Sequence, residues 1–416
     1  MTRTRAVAVV LGAALAVASG CAMIRLHRDV TRLEGYALLG GHVSGQPAGA
    51  PVVVVLTAGS PPTVVDTYFL PRPGPYFFQV PAGTYRIAAF VDANGDSTYE
   101  PATEAAAWYG AASDVVAAPG QRVANLDVRF GGGSGVRLDF PVSATQTGTR
   151  SHEDLPAVAL GDLIKLDDPR FSEENGKLGL WQPVEFLFKV GGGYFFLQPF
   201  DEKKIPVLFV HGAGGEPGYF RDLITHLDQT RFQPWLLYYP SGLGLDATAR
   251  GAARWMSVLA SRYHFKRLVI VAHSMGGVVA RATINDMVAN GDGGMVELFV
   301  SMSTPWNGHS GAAFGADAPV VMPMWTDMAP ASPFLQRLFA TPLPSGCPFH
   351  LMFSYHGRSL REGRANDGVV ELSSELAPAA QQAAARVYGF DEDHMSILAS
   401  REVSQTLNGI LASVSR

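Results

Sequence analysis

The most informative stretch of the sequence is Leu268-Val269-Ile270-Val271-Ala272-His273-Ser274-Met275-Gly276-Gly277-Val278-Val279-Ala280-Arg281. Its apolar, β-branched first half is typical of a strand buried on both faces, and its second half is typical of a buried helix. Ser274 and a pair of glycines separate the two halves. The stretch therefore predicts a strand, a sharp turn and a helix, with Ser274 at the turn.

A serine at a strand-to-helix turn lies on strained backbone, and its hydroxyl is raised above the N-terminus of the following helix. Small residues are needed two positions to either side, because the strand and the helix nearly touch there. Gly276 meets this need on one side, and Ala272 adds only a methyl group on the other, so the pattern is A-x-S-x-G. A structural turn serine is the alternative, but the strand before Ser274 and the helix after it favour a nucleophile.

Strands and helices alternate from Ile205 onward, which predicts a mostly parallel sheet covered by helices on both faces. A hairpin formed by 184–189 and 194–199 is expected to lead into this sheet, and a terminal helix at about 395–411 to close it. The expected strands are 205–210, 235–239, 267–273, 296–302, 349–355 and 385–388, and the expected helices between them include 218–227 and 247–262.

A serine hydroxyl is a poor nucleophile unless a base takes its proton and a third group fixes the tautomer of that base. In this topology the partners follow later strands, in the order Ser, Asp, His. Of the 11 histidines, only His394 follows acidic residues after the last expected strand and just before the final helix. His394 is therefore the predicted base, whereas His211 and His273 are interpreted as packed structural residues.

Asp367, in Asn366-Asp367-Gly368, is the predicted third member of this group. It lies on a turn after the strand 349–355, from which its carboxylate can face His394. A residue that only caps an Asx turn is one alternative and is common for Asp-Gly, but here the turn falls at the place that the third member requires. Asp391 and Asp393 are alternatives, disfavoured because they are too near His394 in sequence to approach its ring from the far side.

A tetrahedral intermediate also needs hydrogen-bond donors for its oxyanion. The backbone N–H of Met275, directly after the serine, is one expected donor. The loop His211-Gly212-Ala213-Gly214-Gly215, after the strand 205–210, lets backbone approach closely, and the N–H of Ala213 is the second. This scheme requires neither a metal nor a cofactor.

Together, these segments resemble the motif set of α/β-hydrolase lipases and esterases, on the residues His211-Gly212, Ala272-His273-Ser274-Met275-Gly276-Gly277, Asn366-Asp367-Gly368 and His394. The A-x-S-x-G variant is similar to that of Bacillus-type lipases. The resemblance covers about 205–416 and implies an α/β-hydrolase fold in which Ser274 is the nucleophile, His394 the general base and acid, and Asp367 the orienting carboxylate.

The resemblance also implies a cap or lid at about 306–346, whose apolar side chains either line an acyl-chain pocket or belong to the core. The expected reaction is hydrolysis of a lipid or another carboxylic ester through an acyl-enzyme. An acyltransferase or thioesterase with the same triad is one alternative. A catalytically silent, lipid-anchored envelope-binding protein is the other.

The N-terminus has the features of an export signal, with Arg3 and Arg5 before an apolar run and small residues before Cys21. Ala18-Ser19-Gly20-Cys21 resembles the lipobox of bacterial lipoproteins, which implies a signal peptide at 1–20, acylation of Cys21 and a tether at 21–34. An ordinary signal peptide and an uncleaved anchor are the alternatives. The protein is therefore expected to be exported and anchored to a membrane as a lipoprotein, either at the outer membrane and periplasm or at the cell surface.

Residues 35–140 contain short β-rich runs separated by turns, which predicts a β-sandwich domain. The segment 80–86 resembles the strand-turn-strand of transthyretin-like and carboxypeptidase-regulatory-like modules. Asp92-Ala93-Asn94-Gly95-Asp96-Ser97 alternates oxygen-bearing side chains as a calcium loop does, but an Asn-Gly turn is the favoured interpretation. Residues 141–183 are expected to be a linker and irregular region, and 184–416 the catalytic domain. The net charge of -5 offers no basic surface for nucleic acid.

Overall fold

The computed structural model describes residues 24–45, 50–131, 136–143, 158–316, 318–357 and 365–415. The expected signal peptide and Cys21 lie outside the described residues. The first described element is helix α1, at 24–34, which lies within the expected tether. No helix among the described ranges combines the length and the apolar character that crossing a bilayer requires.

The N-terminal part is all-β and consists of two sheets that pack face to face. One has the order β4-β1-β8 with β9 also pairing to β1, and the other has the order β3-β2-β5-β6 with β7 pairing to β5. The strands are β1 (Ala37–Ser44), β2 (Val52–Ala58), β3 (Thr63–Leu70), β4 (Pro75–Val80), β5 (Gly83–Val91), β6 (Ala106–Trp108), β7 (Val115–Ala117), β8 (Arg122–Val123) and β9 (Val128–Arg129).

The second of these sheets is buried on both faces, since every residue of β2 except Ala58 is buried. Val54 and Leu56 face the sandwich core, whereas Val53 and Val55 belong to a core shared with the C-terminal part. This part is the expected catalytic domain and is named the catalytic part. A buried ion pair, between Arg254 Nη2 and Asp66 Oδ1 at 2.8 Å, also joins the two parts. The all-β part therefore packs directly against the catalytic part.

The catalytic part is built on an eight-stranded sheet with the order β10-β11-β13-β12-β14-β15-β16-β17. All neighbouring strands pair in parallel except β11 and β13. The strands are β10 (Val158–Leu163), β11 (Gly192–Phe196), β12 (Ile205–Val210), β13 (Phe232–Tyr238), β14 (Leu268–His273), β15 (Val296–Met302), β16 (Phe349–Ser354) and β17 (Arg386–Phe390).

Helices cover both faces of this sheet, as the alternation in the sequence predicts. Side chains of α5 and α6 pack on one face, and side chains of α4 and α12 pack on the other. The helices are α2 (Glu173–Trp181), α3 (Pro183–Lys189), α4 (Arg221–Thr225), α5 (Leu245–Tyr263), α6 (Met275–Asn290), α7 (Ser310–Ala316), α8 (Pro323–Met328), α9 (Pro333–Arg337), α10 (Leu372–Glu375), α11 (Pro378–Ala383) and α12 (Arg401–Ala412).

The expected hairpin around Gly191–Gly193 is wrong. Its first arm is helix α3, because Pro183 occupies the first helical position, where proline needs no amide partner. An ion pair between Glu185 and Lys189, four residues apart, follows the helical spacing. The second arm is β11, which pairs with β10 and β13 instead.

The expected linker at 141–183 is also corrected within the described residues. Strand β10 forms one edge of the eight-stranded sheet, and helix α2 begins at Glu173 with the Ser172 hydroxyl as its N-cap. The catalytic sheet therefore begins at Val158 rather than after residue 184.

Candidate active site

Ser274 lies between β14 and α6 in a conformation that non-glycine residues rarely adopt, with φ 57° and ψ -137°. The close contact that the sequence predicts is present at Gly276, where an added Cβ would lie 2.4 Å from the carbonyl oxygens of both His211 and Val210. The amide of Ser274 continues the pairing of β14 with β15 by donating to Met302 O at 2.8 Å. Sheet and helix together hold the serine in this conformation.

The structure brings the side chains of Ser274, His394 and Asp367 together. His394 Nε2 is 3.0 Å from Ser274 Oγ, and His394 Nδ1 is 2.5 Å from Asp367 Oδ2. His394 lies on the loop after β17, and Asp367 lies on the loop between β16 and α10. Both loops leave the same edge of the sheet as Ser274, because β14, β16 and β17 run in parallel.

Asp367 is fully buried and is held from several sides. Its Oδ1 accepts from the amides of Val369 at 2.9 Å and Val370 at 2.6 Å, and its Oδ2 also accepts from Ser354 Oγ at 3.1 Å. Burial alone would raise the pKa of Asp367, but the hydrogen bond and charge of His394 and the two backbone amides outweigh it and lower the pKa. The carboxylate is therefore ionised beside His394.

The two alternative acids make other contacts. Asp391 is exposed and its Oδ1 lies 2.9 Å from His356 Nδ1. Asp393 Oδ1 accepts from the amides of Met395 and Ser396, so it caps the turn that follows His394. Neither makes the contact with the His394 ring that Asp367 makes.

Of the predicted oxyanion donors, Met275 directly follows Ser274, and Ala213 directly follows Gly212, which lies against Ser274. Met275 is the first residue of α6, where the amides have no acceptor within the helix. In the loop after β12, the amide of Gly214 donates to Ser241 Oγ and that of Gly215 donates to Gly212 O. The amide of Ala213 makes no hydrogen bond within the described part of the chain, so it remains available to a substrate oxygen.

Gly212 is required for the close approach of this loop to the serine. A Cβ on Gly212 would lie 2.6 Å from Ser274 Cβ and 3.0 Å from Ser274 Oγ. We expect Gly212→Ala to lower kcat by about a hundredfold, because the added methyl group would displace Ser274 Oγ relative to His394. Steady-state kinetics with a chromogenic ester measure the effect. Gly409→Ala on the exposed side of α12, where an added Cβ meets nothing within 4 Å, is the matched control.

His211 and His273 are structural, as the sequence predicts. Burial lowers the pKa of His211 to about 4, and burial together with the nearby His394 lowers the pKa of His273 to about 3. His211 stacks on Tyr239 and accepts from its amide at Nε2. His273 Nε2 lies 2.7 Å from His394 O, so it supports the loop that carries His394.

Glu375, on α10, is a residue of the site that the sequence analysis missed. It is fully buried next to Asp367, and its Oε2 accepts from the amide of Ser354 at 3.2 Å. Burial and the adjacent Asp367 carboxylate raise the pKa of Glu375 to about 9. It is therefore neutral at pH 7 and its proton can be donated towards Asp367. No motif marks this residue in the sequence.

The raised pKa of Glu375 predicts a pH-dependent stability. Between the ordinary carboxyl pKa and about 9, the folded protein holds a proton that the unfolded chain releases, so rising pH favours unfolding. Glu375→Gln removes this effect. We expect the stability of the variant relative to wild type to increase by up to about 1.4 kcal/mol per pH unit over that range.

Urea unfolding at several pH values measures this difference. Glu402→Gln, at an exposed position of α12, is the matched control for the loss of a carboxyl group. If the difference in stability between Glu375→Gln and wild type were the same at every pH, this result would contradict a buried, neutral carboxyl at Glu375.

The segment at about 306–346, the expected cap, contains α7, α8 and α9. Its apolar side chains largely belong to the core shared with α5 and α6, among them Trp306, Met322, Met324, Met328, Phe334, Leu335 and Leu338. Helix α8 is tied to α5, because Asp327 Oδ2 accepts from the amide of Leu245 at 2.7 Å.

No group of three His, Cys, Asp or Glu side chains in the described ranges is arranged to hold a metal ion. The side chains of the 92–97 loop form hydrogen bonds with backbone amides of the same loop. Asn94 Oδ1 accepts from the Asp96 amide, and Asp92 Oδ2 accepts from the Ser97 amide.

Comparison with known proteins finds a match of residues 252–317 to the family described as PGAP1-like alpha/beta domain. This segment contains β14, Ser274 and α6. A search of curated proteins found no match. Among solved structures, the mature lipase BlEst2 of Bacillus licheniformis is 15% identical, with 52% of this chain and 97% of that chain covered and a TM-score of 0.42.

Lipase B of Aspergillus fumigatus is 13% identical, with 53% of this chain and 56% of that chain covered and a TM-score of 0.41. The lin2722 gene product of Listeria innocua is 14% identical, with 51% of this chain and 96% of that chain covered and a TM-score of 0.39. The strand order, the helices on both faces and the serine at the turn after β14 identify residues 158–415 as a domain of the α/β-hydrolase fold.

Proposed function

We propose that the protein is a serine hydrolase that cleaves carboxylic esters through an acyl-enzyme. The observation that carries the proposal is the hydrogen-bonded series Ser274 Oγ, His394 Nε2, His394 Nδ1 and Asp367 Oδ2, with distances of 3.0 Å and 2.5 Å. This series has the connectivity of a nucleophile, a base and an orienting carboxylate.

The proposed reaction has two halves. Ser274 Oγ attacks the ester carbonyl while His394 Nε2 takes its proton, and the amides of Met275 and Ala213 stabilise the oxyanion. The tetrahedral intermediate expels the alcohol, which receives the proton from His394. Water then attacks the acyl-enzyme with His394 again as the base, and Ser274 is regenerated as the acid leaves. Asp367 keeps Nδ1 protonated and stabilises the imidazolium in both halves.

Labelling with a fluorophosphonate tests the nucleophile directly. We expect one adduct, on Ser274, in the folded protein, and none in the Ser274→Ala variant. A chain-length series of p-nitrophenyl esters and lipid substrates then defines the acyl preference. Folded protein that forms no adduct on Ser274 would contradict the enzymatic function.

Product analysis separates hydrolysis from acyl transfer, since the same three residues can serve both. Incubation of an ester with water alone, and then with an added alcohol, shows which acceptor resolves the acyl-enzyme. We expect free acid as the main product in both mixtures. A new ester as the main product would show that the protein is an acyltransferase.

We further propose that the protein is exported and anchored to a membrane by an acylated Cys21. Helix α1 begins three residues later and is fixed to the catalytic part, because Asp29 accepts from the amides of Val184 at 2.7 Å and Glu185 at 3.3 Å. Such an anchor would hold the catalytic part close to the membrane. Metabolic labelling with a fatty acid should mark wild type, whereas Cys21→Ala should be unlabelled. An equal label on both proteins would contradict acylation at this residue.

A further inference from the structure

Two buried carboxyl groups, those of Asp367 and Glu375, lie side by side at the candidate active site. Neither residue has exposed surface. Ser354, the last residue of β16, contacts both of them, because its amide donates to Glu375 Oε2 at 3.2 Å and its hydroxyl donates to Asp367 Oδ2 at 3.1 Å. Ser354 therefore fixes the Glu375 carboxyl against that of Asp367, within hydrogen-bonding reach.

The two carboxyl groups differ in the number of donors that they face. Asp367 accepts from four, which are the amides of Val369 and Val370, the Ser354 hydroxyl and His394 Nδ1. Glu375 accepts from the Ser354 amide, and its Oε1 is buried without a hydrogen-bond partner in the described part of the chain. Donors stabilise the charged form of a carboxyl group, so a proton shared by this pair resides on Glu375.

The charges around the pair do not support a second carboxylate. The titratable groups of the neighbouring segments are His273 at the end of β14, His309 after β15, Glu371 before α10, and Asp393 and His394 after β17. No arginine or lysine within the described ranges forms an ion pair with either carboxyl group, and His394 makes its contact with Asp367. Two adjacent buried carboxylates without a cation would repel each other strongly, so the pair carries one proton and one charge.

A proton on Oε1 removes the unsatisfied buried atom. A carboxylate has acceptors alone, whereas a protonated carboxyl group has an O–H donor, and Asp367 is the adjacent acceptor. This hydrogen bond also acts on the base. A carboxylate that accepts one more hydrogen bond attracts a neighbouring imidazolium less, so it raises the pKa of the imidazole less.

We propose that Glu375 is a positioning residue of the candidate active site, which donates a hydrogen bond from its protonated Oε1 to Asp367 and thereby lowers the proton affinity of His394. The proton stays on Glu375 while Ser274 reacts. This role rests on the proposed hydrolase function, in which His394 is the base. Its effect is that His394 remains neutral, and able to accept the proton of Ser274, at lower pH.

Two substitutions at Glu375 separate the donor from the space that it fills. In Glu375→Gln, the Ser354 amide selects the side-chain carbonyl for the place of Oε2, so the amide nitrogen takes the place of Oε1 and still donates to Asp367. Glu375→Leu fills much of the same space and has no donor. It also deprives the Ser354 amide of its acceptor, so we expect it to be less stable. Glu402→Leu, at an exposed position of α12, is the matched control.

The test is the pH dependence of the rate at which a fluorophosphonate labels Ser274 in the full-length protein. The midpoint of this profile reports the pKa of the base in the free enzyme. We expect Glu375→Gln and Glu402→Leu to keep the midpoint of wild type within about 0.2 pH units, and Glu375→Leu to raise it by about 0.5 to 1 pH unit. The midpoint rises because Asp367, with one donor fewer, stabilises the imidazolium more.

Infrared spectroscopy tests the proton on Glu375 without any reaction. We expect the carbonyl stretch of a protonated carboxyl group in wild type at pH 7, and its loss in Glu375→Gln. A difference spectrum without this band would overturn the proposal. If Glu375→Leu does not fold, the infrared band and the unchanged midpoint of Glu375→Gln still decide the outcome.

Two labelling results would also overturn the role of Glu375. Equal midpoints in wild type, Glu375→Gln and a folded Glu375→Leu would show that Glu375 does not act on the base. A lower midpoint in Glu375→Gln would show that Glu375 is ionised in wild type, because the loss of a negative charge destabilises the imidazolium. Absence of any label on Ser274 is distinguishable from both, since it would overturn the proposed hydrolysis and this role with it.

Discussion

Ser274→Ala is expected to lower kcat for a p-nitrophenyl ester by a factor on the order of 10⁵ to 10⁶. In the proposed mechanism, the Ser274 hydroxyl is the only group of the protein that forms a covalent bond with the substrate. Once this hydroxyl is removed, His394 has no nucleophile of the protein to activate. The residual rate would come from the amides of Met275 and Ala213 and from substrate binding alone.

The fold should survive this change, because Ser274 Oγ makes its hydrogen bond to His394 and not to the core. Alanine retains the unfavourable backbone conformation at φ 57°. Glycine relieves it, so we expect Ser274→Gly to be equally inactive but more stable than Ser274→Ala by about 1 kcal/mol. Thermal unfolding of the two variants measures the difference, and Ser413→Ala, at an exposed position, is the activity control.

Much of the catalytic part could be predicted from the sequence. The segments around β12 and β14 are nearly continuous apolar runs, which is the pattern of strands buried on both faces of a sheet. The turn at Ser274 could be recognised from Gly276, whose lack of a side chain is required by contact with two backbone carbonyls. Asp367 and His394 followed from the chain order that the topology imposes.

Other features left no such signal. The strand β10 contains Gly161 and Asp162, which weaken its β pattern, so its position at the sheet edge depends on pairing with β11 rather than on its own sequence. Helix α3 was mistaken for a strand because its apolar residues are nearly contiguous, and a run of that length is ambiguous between helix and strand. Glu375 was missed because burial of an isolated carboxyl beside Asp367 is a consequence of tertiary packing.

The ion pair between Asp66 and Arg254 likewise left no signal in the sequence. Asp66 and Arg254 are 188 residues apart, and nothing in either segment indicates that they pair. The all-β part was predicted as a separate domain, but the structure places one of its sheets in a core shared with α5. Residues that the sequence predicts to lie on the surface of a separate domain therefore lie at the interface between the all-β part and the catalytic part.

Asp367→Asn is the second large effect that we expect, and its reason lies in how the carboxylate is held. Oδ1 accepts from the amides of Val369 and Val370, so the carbonyl oxygen of an asparagine would take this position. The amide nitrogen would then replace Oδ2 and present N–H groups to His394 Nδ1. That contact favours the tautomer in which Nδ1 is the acceptor and Nε2 carries the proton. Such an imidazole cannot accept the proton of Ser274.

We expect Asp367→Asn to lower kcat by about 10⁴-fold, with KM and the thermal unfolding temperature little changed, because the geometry is kept and only the proton is misplaced. Asp391→Asn and Asp393→Asn are the matched controls, since both remove an acidic charge near His394 without touching its ring, and both should retain activity within a fewfold. Full activity in Asp367→Asn, or a comparable loss in Asp393→Asn, would show that Asp367 does not orient the base. Raising the pH should not rescue Asp367→Asn, because deprotonation of the imidazolium still leaves a ring that carries its proton at Nε2 and cannot accept the proton of Ser274.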